Sequence, residues 1–343
     1  MSQTAGVSAR APAAFYLHPA ASLHDTGWGH PEHQGRLRAL ASTVGRDLLA
    51  LHGRVEQRDA SRCSMESLER VHEVGMLAYL QRQVARAADG NEVLTLSDGE
   101  TRVSGASWEA ATGSVGAILD ACERVARGES STAFVAARPP GHHATPNRAM
   151  GFCLLNGVAV AARHLQESGL AGRVLIVDWD VHHGNGTQEI FYQDPSVFYL
   201  SIHQAGMWPG TGEEKETGSG RGQGTTMNIQ VPSGFPGRDY LARFHEALQE
   251  AERRFHPEFI LISAGLDALK GDPLGGQMLQ HEDFHAMTEE VLDVARRRCN
   301  GKVVAVLEGG YDPQGTGMAA VNVIRALAGV DPARPGLGRN EER

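Results

Sequence analysis

The chain has 343 residues, of which 41% are hydrophobic and 21% charged, and its formal net charge is −9. This composition is typical of a globular protein with a large core, and the acidic balance argues against a nucleic-acid partner, whose binding domain would be basic. No stretch approaches the ~18 consecutive apolar residues that span a bilayer, so no membrane partner is expected. The N-terminus lacks the pattern of a secretory signal, and four cysteines without C-x-x-C spacing indicate free thiols in a reducing cytoplasm.

The order of patterns along the chain predicts one domain between two tails. Residues 1–13 and 331–343 are expected to be flexible. Residues 14–330 are expected to form a single domain because no linker or long repeat divides them. A first strand is predicted at 15–17, and apolar residues at helical spacing predict a helix over 64–90.

A regular alternation of strands and helices is predicted in the rest of the chain. A polar loop over 94–102 and a helix over 107–127 precede five apolar runs, most of which are separated by helix-like segments. The apolar runs are 132–137, 174–177, 197–200, 259–262 and 303–307, and the helix-like segments are 157–168, 239–255 and 283–299. This alternation predicts an α/β fold with a mainly parallel sheet covered by helices on both faces. Ligand sites of such sheets lie at the C-terminal ends of the strands, where each of these runs gives way to polar residues.

The most polar of these strand ends is in the segment 174–187, which reads VLIVDWDVHHGNGT. Asp180 and His182 are two residues apart, so on an extended backbone both side chains point the same way. They offer one oxygen and one nitrogen ligand, which suits half of a zinc site. Asp267, after the strand FILISAGLD, is the natural third ligand. Two carboxylates and one imidazole suit zinc, although they would also accept iron or cobalt.

Candidate catalytic residues follow the neighbouring strands. His142 and His143 supply two imidazoles, one of which can act as a base; adjacent histidines can also be simple surface residues, but their place at the shared edge favours catalysis. Asp178 can hold one imidazole by accepting its N–H, and Asn185 can hold the other without adding a negative charge. Tyr311, after two glycines, can donate a hydrogen bond to an oxyanion.

Two further segments invite interpretation. The Gly-rich stretch 205–224 does not match a phosphate-binding loop, and we interpret it as one wall of the site entrance with Trp208 as a wall residue. His281 and His285 match H-E-x-x-H, a metalloprotease zinc signature. That match lies at the start of a helix whose apolar stripe leaves His285 at its edge, so a structural interpretation is preferred.

Several motifs together resemble those of the zinc-dependent histone deacetylase family. They are RPPGHHA, MGFCLLN, VDWDVHHGNGT, SAGLDA with GDPLGG, and LEGGYD, in register over about residues 15–328, with HPEHQGRL similar to the family's opening motif. Trp179, Asn185 and Thr187 resemble the class II branch, to which many bacterial deacetylase-like amidohydrolases belong. The resemblance implies the arginase/deacetylase α/β fold and hydrolysis of an N-acyl amide.

The resemblance also implies roles for individual residues. It implies one zinc ion on Asp180, His182 and Asp267, His143 as general base and acid, His142 as its electrostatic partner, and Tyr311 as the donor that polarises the carbonyl. The family often holds structural potassium beside the zinc, and the residues matching that site are Asp178, Asp180, His182 and Ser201.

A substrate tunnel is implied in the same way. Its walls would be Gly151, Phe152 and Trp208, where the family often has a phenylalanine in place of Trp208. Leu274 occupies the tunnel mouth, where polyamine-selective relatives carry a glutamate, which argues against dedicated polyamine hydrolysis. Asp98, or else Glu100, would grip the substrate backbone at the rim.

The function expected from the sequence is zinc-dependent removal of acetyl or other acyl groups from Nε-acyl-lysine of proteins or peptides. Alternatives are hydrolysis of acetylpolyamines or other small N-acyl amines, and an inactive acyl-lysine binding module, which would not need His143 and Tyr311 together. A binuclear manganese ureohydrolase is disfavoured because Asp267 is followed by Ala268 and Leu269 and not by a second aspartate. The oligomeric state is left open, with a homo-oligomer as one possibility.

Overall fold

A computed structural model of the chain describes residues 11–333. The first strand begins at Ala13, so the predicted N-terminal tail is one residue too long, and residues 1–10 of it lie outside the described range. At the other end, the Ala333 amide donates to Asn322 Oδ1 at 3.0 Å and the Asp331 carbonyl accepts from Arg325 at 2.6 Å. Residues 331–333 are therefore held against the last helix, contrary to the predicted start of the C-terminal tail.

Between residues 11 and 333, ten strands form two sheets. They are β1 (Ala13–Tyr16), β2 (Val55–Arg58), β3 (Leu94–Thr95), β4 (Arg102–Val103), β5 (Ala133–Val135), β6 (Val174–Asp178), β7 (Val197–Gln204), β8 (Thr226–Val231), β9 (Phe259–Ala264) and β10 (Val303–Leu307). Eight of them make one sheet in the order β2-β1-β5-β10-β9-β6-β7-β8, with every neighbouring pair parallel. The other two, β3 and β4, pair antiparallel as a short hairpin.

Nine α-helices accompany the strands within the described range 11–333. They are α1 (Gly35–Leu51), α2 (Met65–Glu69), α3 (Val74–Gly90), α4 (Ser107–Arg127), α5 (Gly157–Glu167), α6 (Asn185–Phe191), α7 (Gly237–Arg254), α8 (His281–Arg298) and α9 (Pro313–Leu327). None of these helices is both long enough and apolar enough to cross a bilayer.

The helices cover both faces of the sheet, as the alternation of patterns predicts. Alternate residues of β6 belong to two separate hydrophobic clusters: Leu175 and Val177 pack with residues of α1, α7, α8 and α9, whereas Val174 and Ile176 pack with residues of α3, α4 and α5. Because β6 is buried on both faces, its sequence is a continuous apolar run and not an alternation. The single-domain α/β fold with a central parallel sheet is thus confirmed.

Several elements differ from the sequence-based prediction. The five apolar runs are the strands β5, β6, β7, β9 and β10, but β2 and β8 were missed because they lie at the two edges of the sheet and contain polar residues. The predicted helix over 64–90 is two helices, α2 and α3, and the predicted polar loop over 94–102 contains the β3–β4 hairpin. The first strand covers Ala13–Tyr16 and not 15–17.

The H-E-x-x-H match is structural. His281 begins α8, where Gln280 and Asp283 form a capping box that satisfies amide groups of the first turn. His285 Nε2 lies 2.9 Å from the Val330 carbonyl, which occupies that ring nitrogen. This segment therefore carries no metal site.

Candidate active site

The three predicted metal ligands meet at the C-terminal edge of the sheet. Asp180 and His182 follow β6, and Asp267 follows β9, which pairs with β6. His182 Nδ1 lies 3.1 Å from Asp180 Oδ1 and 3.3 Å from Asp267 Oδ2. One ligand atom from each residue lies close enough to the other two for all three to share a single metal ion.

The surroundings of these side chains test whether they fit a cation. Asp267 Oδ2 is buried without a hydrogen-bond partner among residues 11–333, because the His182 nitrogen beside it falls outside hydrogen-bond geometry. A Cβ atom at Gly309 would lie 2.1 Å from that oxygen, and one at Gly265 would lie 2.2 Å from Asp180 Oδ2. Glycine backbone thus closes around both carboxylates and leaves Asp267 Oδ2 unsatisfied, and a bound divalent cation would satisfy that oxygen.

Charge in this cluster points the same way. Burial raises the pKa of Asp267 to about 7, helped by the nearby Asp180. For Asp180, burial is outweighed by His142 and His182, which hold its pKa below its ordinary value. Burial is likewise outweighed at His182, where the hydrogen bond to Asp180 and the negative charge of the nearby Asp267 raise the pKa to about 10. Asp180 and Asp267 therefore compete for the positive charge of His182. Their carboxylate oxygens and the imidazole nitrogen are donors that suit zinc.

Backbone amides fix the orientation of the carboxylates. Asp267 Oδ1 accepts from the Val181 amide at 2.8 Å, and Asp180 Oδ2 accepts from the Gly309 amide at 2.9 Å. The Asp180 amide in turn donates to Asp178 Oδ1 at 3.1 Å. These bonds place the ligand oxygens before any ion binds, so little reorganisation is required of the protein.

The two adjacent histidines have different partners. His142 Nδ1 lies 3.1 Å from Asp178 Oδ2, whereas His143 Nδ1 lies 2.9 Å from the amide oxygen of Asn185. Burial opposes charge on His142, but Asp180 and Asp178 raise its pKa to about 10. Burial and the neighbouring His142 hold the pKa of His143 well below its ordinary value. Near neutral pH, His142 is an imidazolium and His143 is a neutral imidazole whose Nε2 can accept a proton.

Two supporting residues were not assigned a role from the sequence. Glu308 Oε2 accepts from the Gly141 and His142 amides at 2.6 and 3.1 Å, which fixes the segment before the catalytic histidines to the end of β10. Burial raises the pKa of Glu308 to about 7. Tyr199 donates to Asp178 Oδ2 at 2.9 Å. Their only signal in the sequence is a polar group at or near the end of an apolar strand.

Tyr311 is positioned by contacts with Asp272 and Arg36, two residues that are distant from it in the sequence. Its amide donates to Asp272 at 2.6 Å, and the Arg36 guanidinium lies 4.8 Å from its ring centroid. Arg36 also donates to the carbonyls of Gly310 and Glu308, at 2.5 and 2.6 Å. Arg36 and Asp272 therefore hold the backbone that presents Tyr311 to the cleft, and no pattern in the sequence indicates these contacts.

A cleft of about 250 Å³ leads to the cluster. Its lining residues are Glu100, His143, Gly151, Phe152, His182, Met207, Trp208, Leu274 and Tyr311. The structure therefore places the four predicted wall and mouth residues on this lining. Asp98 is not among them: its carboxylate accepts from the Gly151 amide at 3.2 Å and from the Thr101 hydroxyl at 2.5 Å. Glu100 faces the cleft in its place.

The Gly-rich stretch 205–224 is tied down at Glu216. Its carboxylate accepts from Gln188 at 2.6 Å and from the Gly212 amide at 3.1 Å. The Trp208 ring centroid lies 4.6 Å from that of His143, edge to face. This segment thus forms one wall of the cleft next to His143.

Two of the four residues that match a potassium site, Asp180 and His182, are also predicted metal ligands. The other two, Asp178 and Ser201, lie beside them. Asp178 and Ser201 are register partners on β6 and β7, and Ser201 Oγ lies 2.8 Å from His203 Nδ1. Asp178 already accepts hydrogen bonds through both carboxylate oxygens, from His142, Tyr199 and the Asp180 amide.

Comparison with known proteins identifies the class to which this fold and site belong. Residues 30–327 match the family described as the histone deacetylase domain, and the chain belongs to that family. It is a hydrolase of the histone deacetylase group, whose members are generally zinc-dependent. The solved structure of the HDA15 HD domain superposes with a TM-score of 0.86 at 35% identity, covering 96% of this chain and 92% of the other.

Individual relatives span most of the chain. The histone deacetylase-like amidohydrolase of Pseudomonas aeruginosa is 36% identical over 316 residues, covering 92% of this chain and 80% of the relative. The probable deacetylase of Archaeoglobus fulgidus is 33% identical over 309 residues, covering 90% and 84%. Histone deacetylase 10, chloroplastic, of Oryza sativa subsp. japonica is 35% identical over 311 residues, covering 88% and 70%.

Proposed function

We propose that this hydrolase removes acetyl or other acyl groups from Nε-acyl-lysine of proteins or peptides, with zinc held by Asp180, His182 and Asp267. The observation that carries this proposal is the pair of adjacent histidines at the end of the cleft, one bonded to a carboxylate and the other to a neutral amide, beside three converging candidate metal ligands. Such a pair supplies a base and a fixed positive charge within one site.

Zinc, when bound, supplies a Lewis acid that polarises the amide carbonyl and lowers the pKa of water towards roughly 7. The protein residues carry the protons. His143 Nε2 takes a proton from the attacking water, because Asn185 holds the other ring nitrogen as a donor. The same nitrogen then protonates the leaving amine. His142 donates its Nδ1–H to Asp178, and this carboxylate favours the imidazolium form.

Tyr311 supplies the hydrogen bond to the oxyanion. Its ring lies on the cleft lining, and the pKa of its hydroxyl is held well above the ordinary value by burial, so it stays a donor over the working pH range. Removal of one such donor typically reduces kcat by ~10²–10³. Phe152, Trp208 and Leu274 add apolar walls that fit a methylene chain.

An acetylated small amine is the second candidate substrate. Glu100 favours it, because this half-buried carboxylate faces the cleft and would attract a second ammonium group. Leu274 argues against a dedicated polyamine enzyme, since it places no carboxylate at its position on the lining.

Potassium beside the zinc, at Asp178, Asp180, His182 and Ser201, is a further part of the proposal. A cytoplasmic location is also proposed and is supported by four free cysteines.

The decisive experiment compares turnover of an acetyl-lysine peptide and N-acetylputrescine by the zinc-loaded protein, with a chelator-treated sample as control. Peptide turnover that the chelator abolishes supports the lysine deacylase. A preference for N-acetylputrescine would replace it with the small-amine hydrolase. Absence of turnover of both substrates despite one bound zinc would contradict both and favour an acyl-lysine binding module or a different amide.

A further inference from the structure

A second cavity lies directly behind one wall of the cleft. It measures about 270 Å³, and its lining residues are His183, His203, Gln204, Gly206, Met207, Trp208, Gly210, Thr211, Glu213 and Gln230. Met207 and Trp208 also line the cleft that leads to the metal ligands. Two spaces of similar volume therefore share a wall, and the Trp208 indole is its largest component.

The two histidines that line this second cavity, His183 and His203, do not form another metal site. His183 Nδ1 lies 2.8 Å from the Thr211 hydroxyl, and its Nε2 lies 3.0 Å from the Gln188 side-chain oxygen. The His203 nitrogens are similarly occupied by Ser201 and the Gly212 carbonyl. With all four ring nitrogens paired within the protein, none is left to bind an ion or a ligand.

Trp208 lies beside His143, whose Nε2 protonates the leaving amine in the proposed function. Its ring centroid is 4.6 Å from that of His143 and 6.4 Å from that of His182. A Cβ atom at Gly151 would lie 2.4 Å from the indole Cη2 and 2.7 Å from His143 Cδ2, so the indole packs against the backbone of Gly151. The indole therefore closes the wall of the cleft beside His143, the proposed base.

We propose that Trp208 is a specificity-determining residue that restricts the leaving amine to a slender, unbranched chain by separating the cleft from the second cavity. The inference rests on the proposed function, because it assigns the amine side of the scissile bond to the space next to His143. A branched or aromatic amine would need the volume behind the indole. That volume exists in the fold, and the wall that separates it from the cleft consists of Met207 and Trp208, with the indole as the larger side chain.

The structure allows this wall to be removed without disturbing the core. The Trp208 side chain is 41% exposed, and its segment is anchored separately by the Glu216 carboxylate. The opposite wall provides a matched control. Phe152 lies against His30 at 4.6 Å and Tyr311 at 5.9 Å between ring centroids, so its removal widens the cleft without opening the second cavity.

The test compares wild type, Trp208→Ala, Phe152→Ala, and Trp208→Ala combined with Gln230→Phe, which refills the second cavity from β8. The measured quantity is the ratio of kcat/KM for N-benzylacetamide to that for N-butylacetamide. We expect Trp208→Ala to raise this ratio about tenfold or more, the range by which pocket shape discriminates substrates. Phe152→Ala should change it less than about threefold, and the refilled variant should return towards wild type. Gln230→Phe alone should leave the wild-type ratio unchanged.

Equal changes in both alanine variants, or a refilled variant that keeps the altered ratio, would overturn the inference. Binding of the two product amines, benzylamine and butylamine, measured by calorimetry provides a readout independent of turnover. If no protein hydrolyses either amide, the proposed function fails, whereas the ratio of amine affinities still tests Trp208. We expect the ratio of amine affinities to shift towards benzylamine only in Trp208→Ala, in which the indole is absent and the second cavity is not refilled.

Discussion

Asn185 and His143 are joined by a hydrogen bond of 2.9 Å from the ring Nδ1 to the neutral amide oxygen. The neighbouring His142 is bonded to a carboxylate, Asp178, at 3.1 Å. A neutral acceptor fixes the tautomer of an imidazole without favouring its charged form, whereas a carboxylate does both. Together with burial and the nearby Asp180, this difference supports the proposal that His143 is the base and His142 the fixed charge.

Replacing Asn185 by aspartate should therefore change the pH dependence of catalysis. A carboxylate beside His143 raises its pKa, typically by ~1–3 units for an opposite charge at this distance. Since His143 acts in its neutral form, the ascending limb of kcat/KM against pH should move to higher pH, and activity at pH 7 should fall. Asn185→Ala removes the acceptor without adding a charge and serves as the control. An unmoved ascending limb in an active Asn185→Asp protein would contradict the assignment of His143 as base.

Tyr311→Phe should retain zinc and lose activity. The hydroxyl is the only group removed, and its loss should lower kcat by ~10²–10³ if it donates to the oxyanion. Zinc content by elemental analysis, together with turnover of the acetyl-lysine peptide, tests this. Tyr192→Phe, at the end of α6 and outside the cleft lining, should behave as wild type. Near wild-type turnover by Tyr311→Phe would remove this residue from the mechanism.

Zinc should stabilise the folded protein through Asp267. Removing the ion leaves Asp267 Oδ2 buried without a partner, so a chelator should lower Tm and zinc should restore it. Asp267→Asn should reduce zinc affinity by about tenfold or more and lose most of this zinc-dependent rise in Tm. Asp293→Asn, an exposed aspartate on α8, is the matched control. A full zinc-dependent rise in Tm in Asp267→Asn would show that Asp267 is not a ligand.

Glu32 should be one of the residues most important for stability. It is fully buried between Arg36, at 2.9 Å, and Arg138, at 2.7 Å, and these two charges outweigh burial and hold its pKa below the ordinary value. Glu32→Gln leaves both guanidinium groups buried without a counter-charge, and breaking such a network costs about 3–5 kcal/mol. Urea unfolding measures the loss.

Exposed Glu66 provides the control for Glu32. It pairs with Arg70 on the surface, and exposed pairs contribute about 0–1 kcal/mol. A Glu32→Gln variant no less stable than Glu66→Gln would mean that the buried network does not hold the fold. Because Arg36 also supports the backbone before Tyr311, Glu32→Gln should lower turnover as well.

His72 should make the protein sensitive to acid. Its Nδ1 donates to the Thr145 carbonyl and its Nε2 accepts from the Asn156 amide, so it is buried as the neutral tautomer, and burial lowers its pKa to about 4. Above pH 6.5 the residue is neutral in both folded and unfolded chains. Below it the unfolded chain takes up a proton first, so stability falls between pH 6.5 and 4.

The loss from His72 should be about 2 kcal/mol at pH 5 relative to pH 7.5. Urea unfolding at these two pH values measures it. His72→Gln has no titrating group there, so its loss over the same interval should be smaller by that amount even if its stability at pH 7.5 is lower. Equal losses in both proteins would exclude His72 as a source of acid sensitivity.

Much of the fold could be predicted because burial leaves a direct trace in the sequence. β6 and β9 are apolar except for Asp178 and Ser263 near their C-terminal ends, because both faces of the sheet are covered. The helix α4 begins and ends where the pattern places it, at Ser107 and Arg127. The edge strands β2 and β8 were missed because partial exposure permits polar residues in them. The spacing of Asp180 and His182 predicts that both side chains lie on one side of an extended backbone. In the structure β6 ends at Asp178 and a bend follows, yet His182 Nδ1 still lies 3.1 Å from Asp180 Oδ1.

The sequence by itself determined the chemical groups and the edge of the sheet at which they meet, because parallel strands deliver their C-terminal residues to one side. Only the tertiary structure decided which groups touch. The contact of Arg36 with the carbonyl of Gly310 joins residues 274 positions apart, and no local pattern records it. The same holds for Glu100 facing the cleft instead of Asp98, and for the cavity behind Trp208. Contacts and empty space depend on how distant segments pack, and packing is a property of the folded chain alone.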